Sequence, residues 1–429
     1  MIRFVDLFAG VGGIRLGFEQ AMKELGIQAQ CVLSSEIDKY AQETYALNFG
    51  EKPQGDIYQV KDVPEFDFLL AGFPCQPFSY AGKQKGFVDT RGTLFFEIER
   101  FLLEHQPRGF LLENVRGLTT HDHGRTFATI LEHLKKLDYG VSYVILNSSN
   151  FGVPQNRVRV YIVGIKNEQP KLTLSSDLGA ADSHKFMQHL AQRSIFDSVA
   201  HKVVADILEE SPPEKYDCSA GFVQSLLREI KGGSEGLAGY RMIDHRNGKS
   251  LHSWELGIKG KCSQVEMDFM NALVANRRKK HFGAHQDGKK LTLEQIKTFF
   301  DHSDLPKIID SLIEKGYLKE VDGKYNPVSG NMSFEVFKFL DPQSISITLV
   351  TSDAHKLGVA HKGRVRHITP RECARLQGFP DTFRYHPDDV HAYRQFGNSV
   401  SVPVVKAVIL DLFRTAGEAL TERRVVELA

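Results

Sequence analysis

The first third of the chain alternates short apolar runs with stretches of helical periodicity. The runs at 2–8, 31–35, 68–71, 110–112, 141–147 and 158–165 read as buried strands. Between them, 14–25, 39–48, 94–105 and 124–137 carry apolar residues at helical spacing. Strands alternating with helices predict an α/β fold, a mostly parallel, doubly wound sheet covered on both faces. Right-handed crossovers then bring the loops that carry chemistry to the carboxyl ends of the strands.

Beyond about residue 180 the rhythm changes. The stretch 175–211 is mixed, Ser211-Pro-Pro is a break, and 232–260 is rich in glycine and charge. Segments 293–300 and 305–315 predict two short helices, and 316–326 predicts a strand, an Asp-Gly turn and a second strand. Helix, turn, helix and hairpin together look like a winged-helix unit, with a small packing insertion as the plain alternative. The apolar run from Gly397 is expected to rejoin the first domain.

Composition narrows the class. With 429 residues, 41% hydrophobic and 25% charged, the chain is an ordinary globular protein of two domains or one large one. Five scattered cysteines without a C-x-x-C pair argue against a disulfide framework or a zinc knuckle and fit a reducing compartment. The N-terminus has no signal-peptide pattern and no stretch approaches 18 apolar residues, so a cytoplasmic protein without a membrane span is expected. The spacings His121-Asp-His123 and His281 to His285 lack further ligands nearby, and no metal is expected.

Several motifs carry chemistry. Asp6-Leu-Phe-Ala-Gly-Val-Gly-Gly13 joins the first strand to the first helix, where glycines let a backbone approach a ligand. Arg15 breaks the dinucleotide fingerprint. Glu36 ends the next strand, where a carboxylate can take a ribose diol. Asp56 adds a second carboxylate, so an adenosine-bearing cofactor without a pyrophosphate is expected; S-adenosylmethionine fits better than NAD. Gly72-Phe-Pro-Cys-Gln-Pro-Phe-Ser79 presents Cys75, a candidate nucleophile, on a loop stiffened by two prolines. Glu113 ends a strand, and period two puts Arg157 and Arg159 on one face. The run Arg277, Arg278, Lys279, Lys280 and His281 suits phosphate contact.

In this order the motifs resemble the C5-cytosine DNA methyltransferase family of prokaryotic restriction-modification systems. The match comprises 6–13, 35–38 in part, 55–57, 72–79, 91–96, 113–115 and 155–160, then T-P-R-E-C-A-R-L-Q-G-F-P at 369–380 and Q-F-G-N-S-V at 395–400. The resemblance implies that Phe8, Gly10, Gly12, Glu36, Ile37, Asp56, Pro74, Leu94, Asn398 and Ser399 line the S-adenosylmethionine site. It makes Cys75 the nucleophile, Glu113 the group that engages the cytosine ring, and Arg159 with Arg157 its partners. Ser79, Lys83 and Arg91 would close over a flipped-out base, and Thr348 resembles the first residue of the family's Thr-Leu pair. It implies a catalytic and cofactor-binding domain of 1–180 and 385–429, and a target-recognition domain of 181–384 with an insertion at 261–330.

The expected activity is methyl transfer to C5 of a flipped cytosine in duplex DNA through a covalent Cys75–C6 adduct, by a monomer. A cognate restriction endonuclease would belong to the same system without forming a stable complex. Two alternatives stand beside it. A transfer-RNA enzyme of this family carries a Cys-Phe-Thr signature that is absent here. A catalytically inactive DNA-binding relative would not keep Cys75, Glu113 and both arginines. The formal charge of +1 hides an asymmetry: residues 231–290 hold twelve Lys or Arg against six Asp or Glu. A basic face on a nearly neutral chain suits salt-dependent DNA binding.

Overall fold

A computed structural model describes residues 1–74, 94–176, 202–245, 248–283, 290–328 and 334–421. The chain divides into two compact units, Met1–Leu208 with Ile345–Ala354 and Pro370–Ala429, and Glu209–Ser344 with His355–Thr369. The expected division at 181–384 is therefore corrected: 345–354 and 370–384 belong to the first unit. Gln155 explains why. Its side-chain oxygen accepts the Leu349 N–H at 2.8 Å, and its amide donates to the Leu376 carbonyl at 2.8 Å.

The first unit begins with β1 (Ile2–Leu7), α1 (Gly13–Glu24), β2 (Ala29–Ser35), α2 (Lys39–Phe49), β3 (Phe68–Gly72), α3 (Leu94–His105), β4 (Gly109–Val115), α4 (Arg125–Lys136), β5 (Tyr139–Asn147) and β6 (Val158–Lys166). These are the six strands and four helices the periodicity predicts. The sheet order is β2-β1-β3-β4-β6-β5. Pairing is parallel from β2 through β4, but β6 runs antiparallel to both β4 and β5. The short link from β5 to β6 leaves no room for a crossover, so only an antiparallel return is open. As a result the start of β6 lies at the carboxyl edge of β4, with Arg159 opposite Val115.

The second unit contains α5 (Ala220–Glu229), β7 (Arg241–Met242), β8 (Ser250–Leu251), α6 (Gln264–Asn276), β9 (Leu291–Thr292), α7 (Leu293–Lys297), α8 (Leu305–Glu314), β10 (Leu318–Val321), β11 (Lys324–Pro327), β12 (Lys338–Leu340), β13 (Leu357–His361) and β14 (Arg364–His367). One sheet has the order β14-β13-β12-β7-β8 and another β10-β11-β9. The predicted pair of short helices is present as α7 and α8. The Asp322-Gly323 turn joins β10 to β11, with both residues in the left-handed region that a two-residue hairpin turn requires. Trp254, Phe269, Leu273, Ile296, Ile309 and Leu312 share one core around α6, α7 and α8.

The chain returns to the first unit with α9 (Pro370–Leu376), α10 (Asp389–Asn398) and α11 (Val402–Thr421). The run Asp389–Thr421 is long and apolar enough to cross a membrane by composition, yet 78% of its most apolar window is buried. It is core: α11 packs with α1 against one sheet face around Phe4, Phe18, Phe68 and Phe413. α3 and α4 cover the other face around Leu69, Phe101, Leu112 and Ile130.

Candidate active site

The carboxyl ends of β1 to β4 open on a cavity of about 640 Å³ among the described residues, a size that suits a small-molecule ligand. The chain leaves β1 through Phe8, whose φ of 54° is rarely adopted by a bulky side chain. Gly10 follows, also with positive φ, and donates its N–H to Glu36 Oε2 at 2.7 Å. The Asp38 N–H donates to Glu36 Oε1 at 2.8 Å. Burial pushes the Glu36 pKa up, and these two backbone bonds pull against it. Beside it, Ile37 is a 72% exposed isoleucine on the cavity wall. Asp56 accepts the Tyr58 N–H at 3.1 Å and so caps the single turn Ile57–Gln59.

Phe8, Gly10, Glu36, Ile37, Asp56, Pro74, Leu94, Asn398 and Ser399 all line this cavity. Gly12 is not among the residues that line the cavity. It is the N-cap of α1 at φ 85°, and a Cβ there would meet the Phe49 ring at 2.2 Å. Its glycine serves the turn and the packing of α1 on α2.

Glu113, Arg157 and Arg159 reach the same cavity. Arg159 Nε lies 3.2 Å from Glu113 Oε1, with both side chains largely buried. Burial raises the Glu113 pKa, while Arg159 and then Arg157 lower it. Glu113 Oε1 is buried and accepts no hydrogen bond from the described residues, so Arg159 lies beside it without being a well-aligned donor. Arg157 differs from its partner. Its guanidinium donates to the Leu349 carbonyl at 2.9 Å and also to the Ser399 carbonyl. It is a clamp on the cavity wall as well as a positive charge near Glu113.

Cys75, Ser79, Lys83 and Arg91 lie outside the described residues. The approach to Cys75 is described: Phe73 is buried, Pro74 lines the cavity, and the Asn114 side chain donates to the Phe73 carbonyl at 3.0 Å. Asn114 follows Glu113 within the matched stretch 113–115, and that position is its signal in the sequence. Thr351 and Arg394 also line the cavity and were not foreseen. Arg394 directly precedes Q-F-G-N-S-V, whereas Thr351 carried no sequence signal.

The expected DNA-contacting residues separate. Arg277 is 4% exposed and donates to Asn326 Oδ1 at 2.8 Å, so it packs inside the second unit. Arg278 is half-buried, while Lys279 and Lys280 are exposed just beyond α6. Thr348 belongs to the first unit, where its hydroxyl donates to the Asn156 carbonyl at 2.5 Å. That bond ties 345–354 to the start of β6 within the first unit, not the second, where the resemblance places it.

The family model for C-5 cytosine-specific DNA methylase matches residues 2–414. The chain is 71% identical over 416 residues to Type II methyltransferase M.HgiCI of Herpetosiphon aurantiacus, covering 97% of this chain and 99% of that protein. Against Type II methyltransferase M.BanI of Aneurinibacillus aneurinilyticus it is 65% identical over 413 residues, 96% of each chain. The crystal structure of the S. pombe Dnmt2 methyltransferase matches with a TM-score of 0.52 at 20% identity, covering 96% of this chain and 99% of that one, a likeness of fold. With the family model running through nearly the whole sequence, the chain belongs to the C-5 cytosine-specific DNA methylases and is a DNA cytosine-5 methyltransferase.

Proposed function

We propose that this methyltransferase modifies one cytosine within a short duplex sequence, with S-adenosylmethionine as donor and a transient bond between Cys75 and C6 of a flipped-out base. The observation that carries the reading is a single cavity that holds Glu113 and Arg159 together with Glu36 and Asp56. The donor fits the residues present. Glu36 and Asp56 offer carboxylates to a cationic ligand with ribose hydroxyls, and Phe8, Ile37 and Leu94 offer apolar faces to a purine. Bound there, S-adenosylmethionine supplies a sulfonium methyl group for C5.

C5 of cytosine is a poor nucleophile. When the Cys75 thiolate bonds to C6, the ring electrons move toward C5 and N3. Glu113, protonated or sharing a proton with N3, offsets the charge that develops there, and its burial favours the protonated form. Arg159 does the same at O2. After C5 has gained its methyl group and lost its proton to a base, the C6–S bond breaks, its electron pair returns to sulfur, and the aromatic ring is restored. Flipping the base costs a few kcal/mol, offset by closure of Ser79, Lys83 and Arg91 and by phosphate contacts from Arg278, Lys279 and Lys280. The helix-and-hairpin unit within 261–330 acts in this reading as a winged-helix DNA contact.

The protein acts as a monomer in the cytoplasm, on the nucleoid. As its relatives are Type II methyltransferases, it belongs to a restriction-modification system and protects sites against a separate endonuclease. Bisulfite sequencing of DNA from cells expressing the protein tests the reading. One short motif should carry protected cytosines, and Cys75→Ala should abolish them. Protection confined to transfer RNA, or persisting in the variant, refutes the reading.

A further inference from the structure

The second unit holds a group of donors that methyl transfer does not use. A sulfur, a carboxylate oxygen and a ring nitrogen from Cys218, Glu335 and His367 lie within 4.8 Å of one another. They come from three separated segments: Cys218 precedes α5, Glu335 precedes β12, and His367 ends β14. The backbone brings them together. The Cys218 N–H donates to the Val365 carbonyl at 3.0 Å, and Asp217 pairs with Arg366 at the edge of β14. The Ser219 N–H and hydroxyl donate to the two Glu335 oxygens at 2.9 and 2.5 Å.

The histidine is oriented in the manner of a metal ligand. Its Nδ1 lies 2.9 Å from the His355 carbonyl, which requires the hydrogen on Nδ1 and leaves the lone pair on Nε2.

We propose that Cys218, Glu335 and His367 bind one zinc ion within the second unit. Sulfur, nitrogen and oxygen donors together suit a borderline-soft divalent ion, and three protein ligands leave the fourth tetrahedral position to water. On binding, the Cys218 proton passes to solvent. The two positive charges of the ion then meet a thiolate and a carboxylate, and the site is formally neutral. The ion ties the start of α5 to the segment before β12 and to the end of β14, so its role is to stabilise the unit.

The test uses the full chain, made metal-free, reconstituted with zinc sulfate, dialysed and assayed by elemental analysis. One zinc per chain is expected in the wild type and in the control variants Cys75→Ser and Cys262→Ser, with loss in Cys218→Ser and His367→Gln. Cobalt added to the metal-free wild type should give a thiolate-to-cobalt absorption band that Cys218→Ser lacks. Should either cluster variant fail to fold, Glu335→Gln carries the test and must lower zinc retention. A wild type that takes up no zinc, or zinc retained equally by Cys218→Ser, His367→Gln and Glu335→Gln, overturns the proposal.

Discussion

The Asn114 side-chain amide donates to the Phe73 carbonyl at 3.0 Å, tying the end of β4 to the chain two residues before Cys75. Asn114→Asp keeps the size but sets a carboxylate against that carbonyl, and an unmatched buried polar group costs roughly 1–3 kcal/mol. Methyl transfer should fall while affinity for S-adenosylmethionine holds. Equal loss of both, by single-turnover kinetics and calorimetry, would show a general collapse of the cavity instead.

Glu113 is expected to work in its protonated form. Glu113→Gln keeps a neutral side chain but cannot share a proton with N3, so the rate should drop about 10²–10⁴-fold. Burial raises the Glu113 pKa, so the protonated fraction, and with it kcat, declines as pH rises through that raised value. The alkaline limb of the wild-type pH profile should be missing from Glu113→Gln. An unchanged limb would assign it to another group.

The two arginines should separate by assay. Arg159→Ala removes the charge beside Glu113 and should slow methyl transfer about 10²–10³-fold. Arg159→Lys should not restore it, because an ammonium lacks the guanidinium fork. Arg157→Ala removes the bonds to the Leu349 and Ser399 carbonyls, so a lower melting temperature is expected alongside any kinetic effect. Thermal denaturation and kinetics on both variants decide the matter.

Asp6 lies fully buried at the end of β1, with Oδ2 accepting from the Tyr45 hydroxyl at 3.3 Å and Oδ1 without a hydrogen bond among the described residues. Burial pushes its carboxyl up to about 8, against the pull of Arg15. The folded state therefore holds a proton that the unfolded chain releases near its ordinary pKa of 3.8. Stability from this group is complete below that value, declines as pH rises, and is lost through about 8. Asp6→Asn should gain on the wild type across that window in melting temperature, with the difference constant at higher pH. A pH-independent difference would contradict the buried proton.

Lys279 and Lys280 are exposed beyond α6. Replacing both by alanine should weaken duplex binding and reduce the slope of log affinity against log salt by about 0.9 per lost phosphate contact. Arg277→Ala should lower stability through its bond to Asn326. Deleting the whole unit is less informative, because Leu291, Ile296, Leu305 and Ile309 share a core with Trp254. An unaltered salt slope in the double lysine variant would place the DNA contact elsewhere.

Much was legible along the chain because it is local. Apolar period and helical spacing predict β1 to β6 and α1 to α4, since a strand or helix needs only its own residues to show which face is buried. Motif chemistry likewise names Glu36, Glu113 and Arg159. Other roles depend on partners distant in sequence. Gly12 reads as a ligand loop glycine until Phe49 is seen against it, and Arg277 reads as a surface cation until Asn326 is beside it. Placement is a further case: pairing of β6 with β4 carries Arg159 to Glu113. The amino-acid sequence by itself determined the elements, the reactive groups and the family. Tertiary structure decided which groups share a cavity, which cations are spent on carbonyls, and that Cys218, Glu335 and His367 meet. Register, strand direction and close packing come from long-range hydrogen bonds and excluded volume, which no local period encodes.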